Sequence, residues 1–277
     1  MKTTSEALLT EIYELKGSKD GPHVLILGGV HGNEQCGVEA IQTYLKNLQI
    51  VKGTLRLIIA NPKAVELKQR YIEENLNRCF NPLKKVTGSY EEQLAHELKK
   101  HMDWADLCLD IHSSNSKESI PFIIAEENNF AWVAPFPFSL VVSGFDTFEP
   151  GGTDTYMHEH HKVGIGIECG YMGDVRSAEL AKTAARQFLT FVGLLPGQAL
   201  AVPKTFLKIT SLYHNVADFT LAKVFADFEA VQKGELIGSD GLNEITAKHD
   251  GMILFARERK AGYGEAFIML EEVKKKQ

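Results

Sequence analysis

The sequence predicts an α/β fold: a largely parallel or mixed sheet covered by helices on both faces, followed by a small β-rich module. Three observations carry that prediction. Short, continuously apolar runs recur through most of the chain, as strands buried on both faces require. Amphipathic stretches with helical spacing stand between them, the alternation from which helix-covered sheets are built. After Pro203 the pattern changes to alternating residues punctuated by glycine at turn-like intervals.

Taken in order, residues 24–29 (VLILGG) read as a buried strand delivered into a tight glycine loop. Residues 37–48 have helical spacing, with Val38, Ile41, Tyr44, Leu45 and Leu48 on one side. Residues 55–60 are a second strand, cut by Asn61-Pro62. A polar stretch over 66–81 leads into a helical pattern at 90–101. Strands follow at 107–111 (LCLDI), 122–125, 140–143 and 164–169 (GIGIEC), and a long helix at 178–195 is stopped by Pro196-Gly197. Residues 195–203 (LPGQALAVP) have linker composition, which predicts an α/β domain over 1–200 and a small β-rich domain over 201–277.

Composition narrows the function classes. The 277 residues are 44% hydrophobic and 24% charged, an ordinary globular balance. Thirty basic against thirty-six acidic residues leave a net charge of −6, which offers no cationic footprint for nucleic acid or an anionic membrane. No stretch approaches the roughly 18–20 apolar residues of a membrane span, and the opening MKTTSEALLTEIYELKG lacks the apolar run of a signal peptide. Cys36, Cys79, Cys108 and Cys169 are scattered with no C-x-x-C pair, so the expectation is a cytoplasmic protein with free thiols.

The chemistry-bearing residues gather at predicted strand ends, where ligands of α/β sheets are bound. His31 and Glu34 stand three apart in the loop after the first strand and can reach one metal ion. A solvated loop with a capping glutamate is the alternative for this pair alone. His112 closes the third strand, and alternation puts Asp110 on the same face, able to orient the imidazole. His, Glu and His make the ligand count of a catalytic zinc with an open position. Between these sites, Arg70, Asn77 and Arg78 form a polar fork suited to a carboxylate or a developing oxyanion, with surface ion pairing as the alternative. Glu168, inside an otherwise apolar strand, is the candidate general base. A second cluster, His158, His160 and His161, lacks the H-E-x-x-H spacing of a protease helix and reads as pocket lining or surface.

GGVHGNE, NP, RYIEENLNRCF, DIHSS and GIGIECG, in that order over about residues 28–170, resemble the aspartoacylase/succinylglutamate desuccinylase family of the zinc carboxypeptidase superfamily. The resemblance implies a zinc-carboxypeptidase-like mixed sheet with a small β-rich C-terminal domain. It also implies one Zn2+ per chain held by His31, Glu34 and His112, and it makes Glu168 the catalytic carboxylate. Arg70 matches the arginine that polarises the scissile carbonyl, Asn77 and Arg78 the pair that holds a substrate carboxylate, and Tyr263 a substrate-contacting tyrosine. Aspartoacylases carry a further arginine shortly before the catalytic glutamate. Here GGTDTYMHEHHKVGIGIE has none, so that either Lys162, His158 or His160 replaces it or the substrate lacks that carboxylate.

The predicted activity is zinc-dependent hydrolysis of the amide of a small N-acyl amino acid, resembling N-acetylaspartate or N-succinylglutamate, with no nucleic-acid or membrane partner and with homo-oligomerisation left open. Two other readings stand beside it: a zinc carboxypeptidase acting on short peptides, and a non-catalytic module that binds metal or carboxylate.

Overall fold

Strand residues alternate their side chains between the two faces of a sheet, and both faces of this one are apolar along its centre. The computed structural model describes residues 10–262 and 264–273. Its first half contains β1 (Glu11–Lys16), β2 (Lys19–Gly28), α1 (Gln35–Asn47), β3 (Lys52–Ile59), α2 (Pro62–Leu67), α3 (Tyr90–Trp104) and β4 (Leu107–Ser114). Then come β5 (Phe122–Ile124), β6 (Leu140–Ser143), α4 (Phe145–Phe148), α5 (Thr153–Glu159), β7 (Val163–Tyr171) and α6 (Arg176–Phe191). The remainder is β8 (Thr205–His214), β9 (Phe219–Leu221), β10 (Glu229–Val231), β11 (Leu236–Asp240), β12 (Asn243–Thr246), β13 (Gly251–Leu254) and β14 (Glu265–Glu272).

The mixed sheet has the order β1-β3-β2-β4-β7-β5-β6-β8-β14-β13-β10. At its centre β3, β2, β4 and β7 run parallel, while β5 returns antiparallel to β7. Val24 and Ile26 of β2 face one core with Ile41 of α1 and Ala181, Ala185 and Phe188 of α6. Leu25 and Leu27 face the other with Leu94, Leu98 and Met102 of α3 and Met157 of α5. Each buried Val, Leu, Ile, Phe or Met among them contributes about 1.5–3 kcal/mol, so the two-faced apolar pattern settles both the strands and the helix cover.

The structure differs from the sequence expectation in three places. The first strand of the sheet is β1, an edge strand antiparallel to β3 whose residues are only half-buried and so lack a long apolar run. Helix α6 ends at Phe191 rather than continuing to 195, because Gly193 adopts φ +76° and the amide of Leu194 turns back to the carbonyl of Leu189. The strands beyond residue 200 do not stand apart from the sheet: β8 pairs parallel with β6 and antiparallel with β14. Only β12, β11 and β9 form a separate small sheet among the described residues. No described helix is long and apolar enough to cross a membrane.

Candidate metal centre and substrate pocket

Because β2, β4 and β7 are parallel neighbours, their carboxyl ends open on the same side of the sheet, where the loops carry the polar residues. After β2 the chain makes a sharp exit at Gly29, whose φ of +69° favours glycine. Gly32 then passes so close to α2 that a Cβ would lie 2.0 Å from the carbonyl carbon of Ala64. These two glycines let the loop fold down over the strand ends and bury both His31 and Glu34, at 5% and 4% exposure. His112 reaches the same place from β4 and is equally buried.

One nitrogen or carboxylate oxygen from each of His31, Glu34 and His112 lies within 4.8 Å of the others. The hydrogen bonds around them decide what those atoms can do. Asn75 Oδ1 accepts from the amide of Asn77 and faces His31 Nε2 at 3.0 Å, so Nε2 carries the proton and Nδ1 is left with a lone pair. That Nδ1 sits 2.9 Å from Glu34 Oε1 without a hydrogen bond, one acceptor facing another. His112 Nε2 lies 2.9 Å from Asp110 Oδ2, while its Nδ1 points at Glu34 Oε2, 3.0 Å away. Asp110 is in turn held by the hydroxyl of Thr153, which donates at 2.6 Å. Inward-facing imidazole nitrogens converging with a buried carboxylate are satisfied by a cation between them, so this donor set fits a divalent metal, and its N/O composition suits zinc.

The electrostatics are those of buried charges in close array. Burial holds His31 below its ordinary value. Burial also opposes the protonated form of His112, but the Asp110 and Glu34 carboxylates outweigh it and raise this imidazole well above its usual range. Burial would push Glu34 up; the two imidazoles prevail and keep it well below the usual carboxylate range. Glu168 is the register partner of His112 across β4 and β7. Burial and the neighbouring Glu34 carboxylate push it up to about 8, and its Oε2 has no hydrogen-bond partner among the described residues.

Above this centre lies a cavity of about 440 Å³ whose walls include Glu34, Arg70, Asn75, Arg78 and Glu168. Arg70 donates to Glu34 Oε1 at 3.0 Å, which places its guanidinium beside the candidate metal ligands. Arg78 is engaged by Glu149 and lies 3.8 Å from Glu265. Asn77 is not in the cavity wall; its side chain accepts the amide of Thr153 at 3.1 Å and so ties down the start of α5. Tyr263 lies outside the described residues.

Residues 20–191 match the profile of the family described as the succinylglutamate desuccinylase/aspartoacylase catalytic domain. The chain belongs to this family. It is 24% identical over 206 residues to a protein of Acaryochloris marina named "Probable aspartoacylase", covering 71% of this chain and 63% of that one. The chain thus spans less than two thirds of that relative's length. It is 24% identical over 306 residues to the succinylglutamate desuccinylase of Vibrio vulnificus, covering 95% of this chain and 84% of the relative. Its fold is like that of the Vibrio cholerae succinylglutamate desuccinylase crystal structure, with a TM-score of 0.78 at 21% identity over 93% of this chain and 83% of that one.

Within the family fold, the segment before Glu168 offers no cation to the cavity. Lys162 instead donates from Nζ to the carbonyls of Met102, Asp103 and Ala105 at the C-terminus of α3. His158 is held between Asp146 Oδ2 and the carbonyl of Gly164, each at 2.8 Å. His160 bonds the carbonyl of Tyr156 and stacks on its ring. None of the three lines the cavity. The sequence reading missed Asn75, Glu149, Arg257, Arg259 and Glu265, all of which do. Arg257 and Arg259 belong to an R-x-R in the C-terminal part, where no strand-end motif marks them; their i, i+2 spacing was the available signal.

Proposed function

We propose that this protein is a zinc-dependent amidohydrolase that removes the acyl group from a small N-acyl amino acid. The observation that carries this reading is the convergence of His31, Glu34 and His112 directly beside the unpartnered carboxyl of Glu168, in an arginine-walled cavity. The family supports the reaction class, and relatives named aspartoacylase and succinylglutamate desuccinylase support the substrate class.

Zinc bound by His31, Glu34 and His112 supplies Lewis acidity and a water acidified towards about pKa 7. Glu168 takes the proton of the attacking water and returns it to the amine as the amide C–N bond breaks. Arg70 donates to the amide oxygen, and that hydrogen bond strengthens as negative charge develops there. Arg78 lines the cavity as a cation for the substrate's α-carboxylate, which competes with Glu149 and Glu265 for the same guanidinium. Asn77 supports it indirectly, by fixing the loop at Thr153.

The test is amine release by zinc-loaded protein from N-acetylaspartate, N-succinylglutamate, neutral N-acetyl amino acids and dipeptides. We expect turnover of an N-acyl amino acid, and a loss of about 10²–10⁴-fold in Glu168→Ala with zinc still bound. Cleavage of dipeptides alone would make the protein a carboxypeptidase. Stoichiometric zinc without turnover of any of these would leave a binding module.

A further inference from the structure

Two of the cavity's four arginines have no work in the reaction just described. Arg70 and Arg78 each have a carboxylate of the protein within ion-pair distance. Arg257 and Arg259 line the same cavity, and neither has such a partner among the described residues. Both side chains are nevertheless aimed. Arg257 Nε donates to the carbonyl of Phe255 at 3.2 Å and one terminal nitrogen to Asn115 Oδ1 at 3.1 Å. Arg259 Nε donates to the carbonyl of Glu265 at 2.8 Å. The backbone of Arg259 is fixed as well, exchanging both amide–carbonyl hydrogen bonds with Phe219.

Each guanidinium is therefore anchored through Nε to a main-chain oxygen, an arrangement that leaves terminal N–H groups for a ligand. The cost of keeping both cations here shows at Arg257, which burial, together with the positive charges of Arg259 and Arg70, pulls down to about 10. Half-buried guanidinium groups that crowd one another, wall a cavity and have no protein carboxylate within ion-pair distance among the described residues are complementary to an anionic ligand group. Their planar paired donors match a carboxylate.

We infer that Arg257 and Arg259 bind a second carboxylate of the substrate, distinct from the α-carboxylate at Arg78, so that the cavity selects dicarboxylic N-acyl amino acids. The inference rests on the deacylase reading for the amide that is cut, but not for the clamp itself. The second carboxylate has two sources, the amino-acid side chain or the acyl group.

Binding and turnover separate these points on the full-length, zinc-loaded protein. Binding is measured by calorimetry for glutamate against glutamine and for succinate against butyrate. Turnover is compared for N-acetylglutamate against N-acetylglutamine and for N-succinyl- against N-butyrylglutamine. We expect at least one pair to favour the extra carboxylate about tenfold or more, and Arg257→Gln or Arg259→Gln to lose about tenfold on the charged member alone. Arg257→Lys, which keeps the charge, should restore part of the preference and guards against a folding defect. The glutamate pair responding places the carboxylate on the amino acid; the succinyl pair responding places it on the acyl group. Equal losses on charged and neutral members, or a preference that survives in the double glutamine variant, would overturn the clamp. Acid preference in binding with no turnover of any N-acyl amino acid keeps the clamp and removes the deacylase reading. Turnover without acid preference does the reverse.

Discussion

Each imidazole of the candidate metal site is fixed by the nitrogen turned away from Glu34: His31 by Asn75, His112 by the Thr153–Asp110 relay. Asp110 thus holds the His112 ring so that Nδ1 faces Glu34, the orientation in which that nitrogen would reach the proposed metal. Asp110→Asn replaces the carboxylate with an amide that supports this tautomer less well and does not offset the charge. Zinc affinity should fall about 10–100-fold, read by competition with a chromophoric chelator, whereas an affinity unchanged from wild type would show that Asp110 serves only the packing of Thr153. This relay was legible in the sequence, because i, i+2 alternation puts Asp110 and His112 on one face of β4. Asn75 was not. It lies in an irregular segment, and nothing local in ENLNR distinguishes the asparagine that meets His31 from Asn77, which turns away to Thr153.

At the scale of elements, the segment that carries Arg70, Asn75 and Arg78 has little regular structure of its own beyond the 3-10 turn Leu76–Arg78. It is held by Glu91, a fully buried carboxylate in the first turn of α3. Glu91 accepts from the amides of Ile72, Glu73 and Glu74 at 2.7, 3.1 and 3.3 Å, and from the side chain of Asn61 at 3.1 Å. The same helix is capped by Ser89 at its N-terminus, where the hydroxyl accepts the amide of Glu92, and by Lys162 on its last carbonyls. So α3 is a rigid post to which the arginine loop is tied. Glu91→Gln keeps the volume but exchanges an acceptor oxygen for an NH2 that faces backbone N–H groups. The cost is about 1–3 kcal/mol for the unsatisfied donors, or a few degrees in Tm. Amide exchange should quicken at residues 72–74 while the core strands keep their protection; unaltered exchange in that segment would mean that the loop is held by other contacts. From sequence, α3 was readable by its helical pattern, but nothing in that pattern singles out Glu91. Its role depends on Asn61 and a loop 17–19 positions earlier in the chain, which periodicity does not report.

For the whole molecule, the decisive feature is that one sheet runs from β1 to β10 through both parts of the chain. The change in pattern after Pro203 was visible because it is local. That the later strands extend the earlier sheet was not, since the β6–β8 pairing joins segments more than sixty residues apart, as at Leu140 and Thr205. Phe122 and Val142 from the first part share a core with Leu207, Ile209, Leu254 and Ile268 from the second, and the ring of Phe122 packs edge-on to Phe228 at 5.2 Å. Each of these side chains gains about 1.5–3 kcal/mol from burial, against a total stability of about 5–15 kcal/mol for a folded protein. A boundary at residue 200 would therefore cut through a shared core and bare the edge of β6. Calorimetry of the intact protein should show a single unfolding transition, and a chain ending at residue 200 should fail to give native-like amide protection in β5 and β6. Two resolved transitions, or a soluble 1–200 fragment with those strands protected, would instead establish an independent catalytic domain. The distinction bears on function: His31, Glu34, His112 and Glu168 come from one side of that boundary, Arg257 and Arg259 from the other. With one sheet carrying both, a ligand held between them should raise the Tm of the whole transition, by an amount set by its concentration relative to its Kd.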